Sequence, residues 1–158
     1  MGFLPYLVWI SFRMSTASSS TDTLKQGAEA VLRHIAAGKL GEAYASREAI
    51  HEFYYHLDRT RLQPADILAR VGALTRIPTL KRVATTTDDD LLALSHITTY
   101  GLSSVFDSYH AAACLLKDPE HTMVSTDDVY DKIPRIKRTD PRKLAERIRE
   151  PDSANRPP

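Results

Sequence analysis

Apolar residues fall along this chain in two rhythms, short continuous runs and helical stripes, and their alternation predicts an α/β fold. The run from Phe3 to Ile10, within GFLPYLVWISF, reads as a strand covered on both faces. It is too short to cross a bilayer, which takes about 20 apolar residues. Nothing basic appears before Arg13, so a strand is favoured over a signal peptide. After the polar stretch MSTASSST, a helix is predicted from near Asp22 or Thr23. Ala28, Val31, Leu32 and Ile35 share its face, and Gly38 stands where a helix commonly stops. GEAYAS reads as an extended turn or a strand. Arg47 to Arg59 predicts a second helix with the stripe Ile50, Phe53, Tyr54 and Leu57. Pro64, well suited to a first turn, opens a third that carries Ile67, Leu68, Val71 and Leu74 toward Pro78.

The second half repeats the alternation. KRVAT predicts a core strand, and Thr87 to Tyr100 a helix with Asp88 to Asp90 complementing the dipole of its first turn and Gly101 ending it. A helix from about Phe106 to Leu116 leads into the β-rich TMVST and a turn holding Asp127, Asp128 and Asp131. RIKRT adds a last strand, and Asp140-Pro141 opens a final helix as cap and first residue. The tail PDSANRPP has the composition of a disordered segment. One α/β domain over residues 1–149, with a mainly parallel sheet, and a disordered tail over 150–158 are therefore expected. Ligands of such sheets bind beyond the carboxyl ends of the strands, which directs attention to the residues there.

Composition changes this picture little. With 158 residues, 42% of them hydrophobic, the chain suits one domain with its own core. A net charge of +1 argues neither for nor against nucleic acid, so any preference rests on how the charges are placed. The lone Cys114, in AAACLL, reads as a small buried hydrophobe; one cysteine makes no internal disulfide, which suits a reducing cytoplasm.

Three acids stand at or near predicted strand ends and helix starts. Asp127 follows TMVST, where a turn or cap role is the ordinary one; Asp107 opens DSYHAAACLL, where it suits a helix cap; Glu52 lies beside the apolar stripe of AIHEFYYHL. Their combination is more specific than any member. IHEFYYHL, the D-x-x-H-A-A pattern of Asp107, His110, Ala111 and Ala112, and the turn and following stretch STDDVYDKIP, in that order, resemble the PIN-domain ribonucleases of the VapC toxin type. The resemblance spans roughly residues 28 to 140. It implies a three-layer α/β/α sandwich with a mainly parallel central sheet, in which Glu52, Asp107 and Asp127 would be the second, third and fourth catalytic acids and would bind Mg²⁺ or Mn²⁺. It also implies an RNA substrate cut at its phosphodiesters, a VapB-like antitoxin as partner, and a homodimer. Hard divalent cations prefer oxygen ligands, and converging carboxylates supply them.

The first strand departs from the family pattern. The position of its first aspartate is Pro5, which ligates nothing and removes a backbone donor. Asp22 is better read as a helix cap than as a substitute. Two functions are therefore expected: a metal-dependent endoribonuclease, or a catalytically impaired scaffold that binds RNA or an antitoxin without turnover. His51, His56, His96 and His121 form no zinc spacing and read as structural or exposed. His110, three residues after Asp107 and able to share its face, reads either as a group backing that acid or, the favoured reading, as helix packing, and Ser125 or Thr126 as a donor to a site carboxylate or a cap of the turn. Lys132, Arg135, Lys137, Arg138, Arg142, Lys143, Arg147 and Arg149 crowd the last part of the chain, either as a solvated surface or as an RNA-facing patch.

Overall fold

The computed structural model describes residues 23–149; the predicted strand over Phe3 to Ile10, the candidate cap Asp22 and the tail over 150–158 lie outside them. The order of elements is α1 (Thr23–Ala36), β1 (Ala43–Ser46), α2 (Arg47–Asp58), α3 (Pro64–Thr75), β2 (Leu80–Val83), α4 (Thr87–Tyr100), α5 (Val105–Lys117), β3 (Thr122–Val124), a short 3-10 helix (Asp128–Lys132), β4 (Lys137–Thr139) and α6 (Pro141–Arg149). GEAYAS thus resolves to a strand. Local chemistry explains the sharpest boundaries. The Thr86 hydroxyl accepts from the Asp89 N–H at 3.4 Å while the Asp89 carboxylate accepts from the Thr86 N–H at 2.8 Å, a capping box that starts α4. Gly101, with φ of +63°, ends it in the left-handed conformation that a Cβ would strain.

The strands pair in parallel, β1 with β2 and β3 with β4, as two two-stranded sheets among the described residues. Ala43 stands opposite Leu80 and Ser46 opposite Val83; Thr122 stands opposite Lys137 and Val124 opposite Thr139. Because strand side chains alternate between faces, β1, β2 and β3 each feed two cores. Ala43, Ala45, Leu80 and Val124 join Val31 and Ile35 of α1 and Leu144 and Ala145 of α6. Tyr44, Val83 and Met123 turn the other way, toward Cys114 of α5, Tyr130 and Ile133. Each fully buried aliphatic side chain contributes roughly 1.5–3 kcal/mol. Cys114 is buried, as its surroundings predicted.

Two expected core positions are on the surface instead. Tyr54 is 50% and Leu68 73% exposed. Helix α2 buries Ala49, Phe53 and Leu57, spaced by four, so Tyr54 lies one residue and about 100° beyond the stripe. In α3 Ile67 is the buried residue, and Leu68 is displaced from it in the same way. No helix among the described residues is long and apolar enough to cross a membrane.

Candidate functional site

The three acids singled out in the sequence come from three different elements. Helix α2 begins directly where β1 ends: Ser46, the last residue of the strand, is also the cap of the helix, its Oγ accepting from the Ala49 N–H at 3.1 Å. Six residues on, Glu52 projects a carboxylate that is 17% exposed. Asp107 sits in the first turn of α5, behind the cap Ser104, whose hydroxyl accepts from the Asp107 N–H at 3.3 Å. The carboxylate is therefore not itself the cap, and only 6% of the residue is exposed. Asp127 follows β3 through a turn in which Ser125 Oγ accepts from the Asp127 N–H at 3.1 Å. Asp127 Oδ1 in turn accepts from the Val129 N–H at 3.0 Å. Ser125 thus acts as a turn former rather than a donor to a carboxylate. One Asp127 oxygen is committed to capping the 3-10 helix.

These acids share one electrostatic neighbourhood. Burial pushes the Asp107 carboxyl above the ordinary aspartate range, and the negative charges of Asp127 and Glu52 push it further. A hydrogen bond from Tyr130 and the nearby imidazole of His110 oppose that rise. Tyr130 is fully buried and donates its hydroxyl to Asp107 Oδ1 at 2.9 Å. Burial first, and then the charge on Asp107, lifts this phenol well above its usual range, so it remains a donor throughout the neutral pH range. His110 lies between the other two groups, with Nε2 3.1 Å from Glu52 Oε2 and Nδ1 2.8 Å from Ser46 Oγ. Among the described residues no lysine or arginine makes an ion pair with Glu52, Asp107 or Asp127.

The sequence does not single out Ser46 or Tyr130, and it offers His110 as a group behind Asp107 only as the less favoured reading. Hydrogen bonds between residues 64 and 58 positions apart leave no local periodicity, and the aromatic of VYDKIP reads as an ordinary core residue. The Asp-to-His spacing of three, which puts both on one face of α5, was the available signal.

The other histidines stay outside this neighbourhood. His96 is buried against the Tyr100 ring, with Nδ1 unpartnered, and burial lowers its pKa; His121 meets Arg135. The basic residues of the last segment are partly neutralised. Arg138 holds Asp131 with two bonds of 2.8 and 2.6 Å and donates to the Ser125 carbonyl at 3.2 Å, while Arg142 holds Asp140. Arg138, Lys143 and Arg147 line a groove of about 450 Å³, together with Thr139, Asp140 and Glu146.

The donor set, three carboxylates without a lysine or arginine partner, suits a hard divalent cation by chemistry and by charge. The fit is not that of a formed cage: among the described residues, no group of three or more His, Cys, Asp or Glu side chains is arranged to hold a metal ion. No protein-family model matches the chain, and no curated protein matches it.

Proposed function

We propose that this chain is a metal-dependent endoribonuclease of the PIN and VapC kind, acting on RNA phosphodiesters in the cytoplasm as the toxin of a toxin-antitoxin pair. A VapB-like antitoxin would restrain it, and it would work as a homodimer. In this reading the two parallel strand pairs belong to one mainly parallel sheet between helical layers, a three-layer α/β/α sandwich. The sorting of alternate strand residues into two cores supports it. One observation carries the functional proposal. Asp107 is buried in the negative field of Asp127 and Glu52, with a phenol and an imidazole nearby and no lysine or arginine paired to it. A structural carboxylate is ordinarily paired or left in water, and a buried, perturbed carboxylate such as Asp107 marks a candidate functional site.

Glu52, Asp107 and Asp127 would hold Mg²⁺ or Mn²⁺. Bound there, the ion would offset phosphate charge and lower the pKa of a water that attacks phosphorus. The protein's own part is to keep these oxygens dry, oriented and short of cations. Tyr130 holds Asp107 Oδ1, and Asp127 is tied to its turn.

The test is Mn²⁺-dependent cleavage of single-stranded RNA by the purified chain. Asp107→Asn should abolish it, by more than the roughly 10–100-fold typical of losing a residue that only supports a ligand. Cleavage that survives in Asp107→Asn would refute the site. The second reading, an impaired scaffold, is favoured by Pro5 at the position of the family's first aspartate, which lies outside the described residues. RNA binding without cleavage, with cleavage gained in Pro5→Asp, would establish it.

A further inference from the structure

The chain Ser46–His110–Glu52 links the end of β1, helix α2 and helix α5. Ser46 is 2% and His110 1% exposed. A histidine that merely fills a core is usually satisfied by backbone carbonyls, yet both ring nitrogens here meet side chains from another part of the chain. Hydrogen-bond bookkeeping assigns their roles. An ionised carboxylate only accepts, so the bond to Glu52 requires the proton on Nε2. In a neutral ring Nδ1 is then an acceptor, and the Ser46 hydroxyl donates to it while Oγ accepts from the Ala49 N–H. The chain of bonds then runs from the start of α2 to the Glu52 carboxylate.

Glu52 depends on this arrangement more than its neighbours do. Asp107 is held by Tyr130 and Asp127 by the Val129 amide, whereas the imidazole is the partner that holds Glu52. Glutamate on a helix has three rotatable bonds, and a partly exposed one turns to water unless something holds it. His110 also stands one helical turn from Asp107, on the same face of α5.

We infer that His110 is the positioning residue of the carboxylate site, carrying its proton on Nε2, anchored by Ser46, and holding Glu52 toward Asp107. The role resembles that of groups that orient ligands from behind, which act through the ligand and not on the substrate. The inference rests on the carboxylate reading above, and its test separates the two.

The first measurement needs no metal. Long-range ¹H–¹⁵N spectra of the full chain should show the His110 proton on Nε2 and a bare Nδ1. Side-chain couplings of Glu52 should report one rotamer in the wild type and averaging in His110→Leu. A proton on Nδ1 with Nε2 bare, or Glu52 couplings unchanged in a folded His110→Leu, overturns the inference. The second measurement is Mn²⁺ affinity by electron paramagnetic resonance. His110→Leu should weaken it about 10–100-fold. His110→Gln, whose amide can donate where Nε2 did, should recover most of the loss. In a Glu52→Gln background His110→Leu should add little, because its effect passes through Glu52. An equal loss in that background refutes positioning. If His110→Leu fails to fold, Ser46→Ala keeps the imidazole and should free the Glu52 rotamer in part; unchanged couplings there refute the chain. A wild type that binds no Mn²⁺ would end the metal reading, and the spectra alone would then decide the inference about His110.

Discussion

Asp127 and Asp131 stand four residues apart around Tyr130 and belong to opposite worlds. Asp131, together with Asp140, is clasped by a guanidinium: Arg138 grips one with two bonds and Arg142 the other, and both carboxyls are held below the usual range by those bonds. Asp127 faces a cluster in which Asp107 is pushed the opposite way, first by burial and then by its acidic neighbours. The chain has arginines to spare, since eight basic residues lie between Lys132 and Arg149, and it pairs none of them with Glu52, Asp107 or Asp127. Paired carboxylates explain themselves as local structure. Glu52, Asp107 and Asp127 have no lysine or arginine partner, only the His110 imidazole at Glu52, and this is the charge balance that the proposed cation site requires.

The comparison breaks most visibly at its paired end. Arg138→Leu removes both bonds to Asp131 and the bond to the Ser125 carbonyl, at the root of the turn that carries Asp127. The guanidinium is 18% exposed, so part of the interaction is shielded from water, although Asp131 itself is 53% exposed and can rehydrate. A loss of about 1–2 kcal/mol in unfolding free energy is expected, measured by urea denaturation. A stability unchanged in Arg138→Leu would show that the paired acids are not structural anchors, and the contrast would lose one side.

Much of this arrangement was legible in the sequence because it is encoded locally. The ends of α4 follow from Thr86, Asp89 and Gly101, all within the helix and its caps, and α6 from Asp140 and Pro141. The three acids were found through motifs that keep each residue with its near neighbours. What was not legible depends on distance along the chain. Helical spacing shows that Ile50, Phe53, Tyr54 and Leu57 lie near one another, but the packing of neighbouring elements decides that Ala49 turns inward and Tyr54 outward. The bonds from His110 to Ser46 and Glu52 likewise exist only after β1, α2 and α5 have met. Neither the pairing of basic residues with Asp131 and Asp140 nor their absence from the other acids follows from the composition of the last segment.

A smaller effect, of opposite sign, is expected at the unpaired end. Asp107→Asn removes a buried carboxylate that the folded chain disfavours while keeping an acceptor for Tyr130, so the metal-free protein should gain on the order of 1 kcal/mol near neutral pH. The pH dependence follows from the direction of the shift. With its folded pKa raised above 3.8, Asp107 contributes stability that is complete below 3.8 and is lost as pH rises through the raised value. Asp107→Asn should therefore match the wild type in acid and exceed it progressively as pH rises. A variant both inactive on RNA and more stable would separate function from folding at this residue. Destabilisation at neutral pH would instead mean that the Asp107 charge is compensated, contrary to the comparison.

The smallest expected effect reverses that sign again. Asp131→Asn breaks a charge-assisted pair whose acid is half in solvent, and exposed pairs of this kind contribute about 0.2–1 kcal/mol. Because the folded pKa of Asp131 lies below 3.8, its contribution is present above that value and fades as pH falls through the lowered one. The difference between wild type and Asp131→Asn should thus shrink in acid and also in high salt, which screens the exposed part of the pair. Paired urea titrations at several pH values would place Asp131→Asn below the wild type and Asp107→Asn above it at neutrality, with both differences closing toward acid. If the two variants moved in the same direction, the division between structural and uncompensated acids would fail, and with it the reason for seeking a cation at Glu52, Asp107 and Asp127.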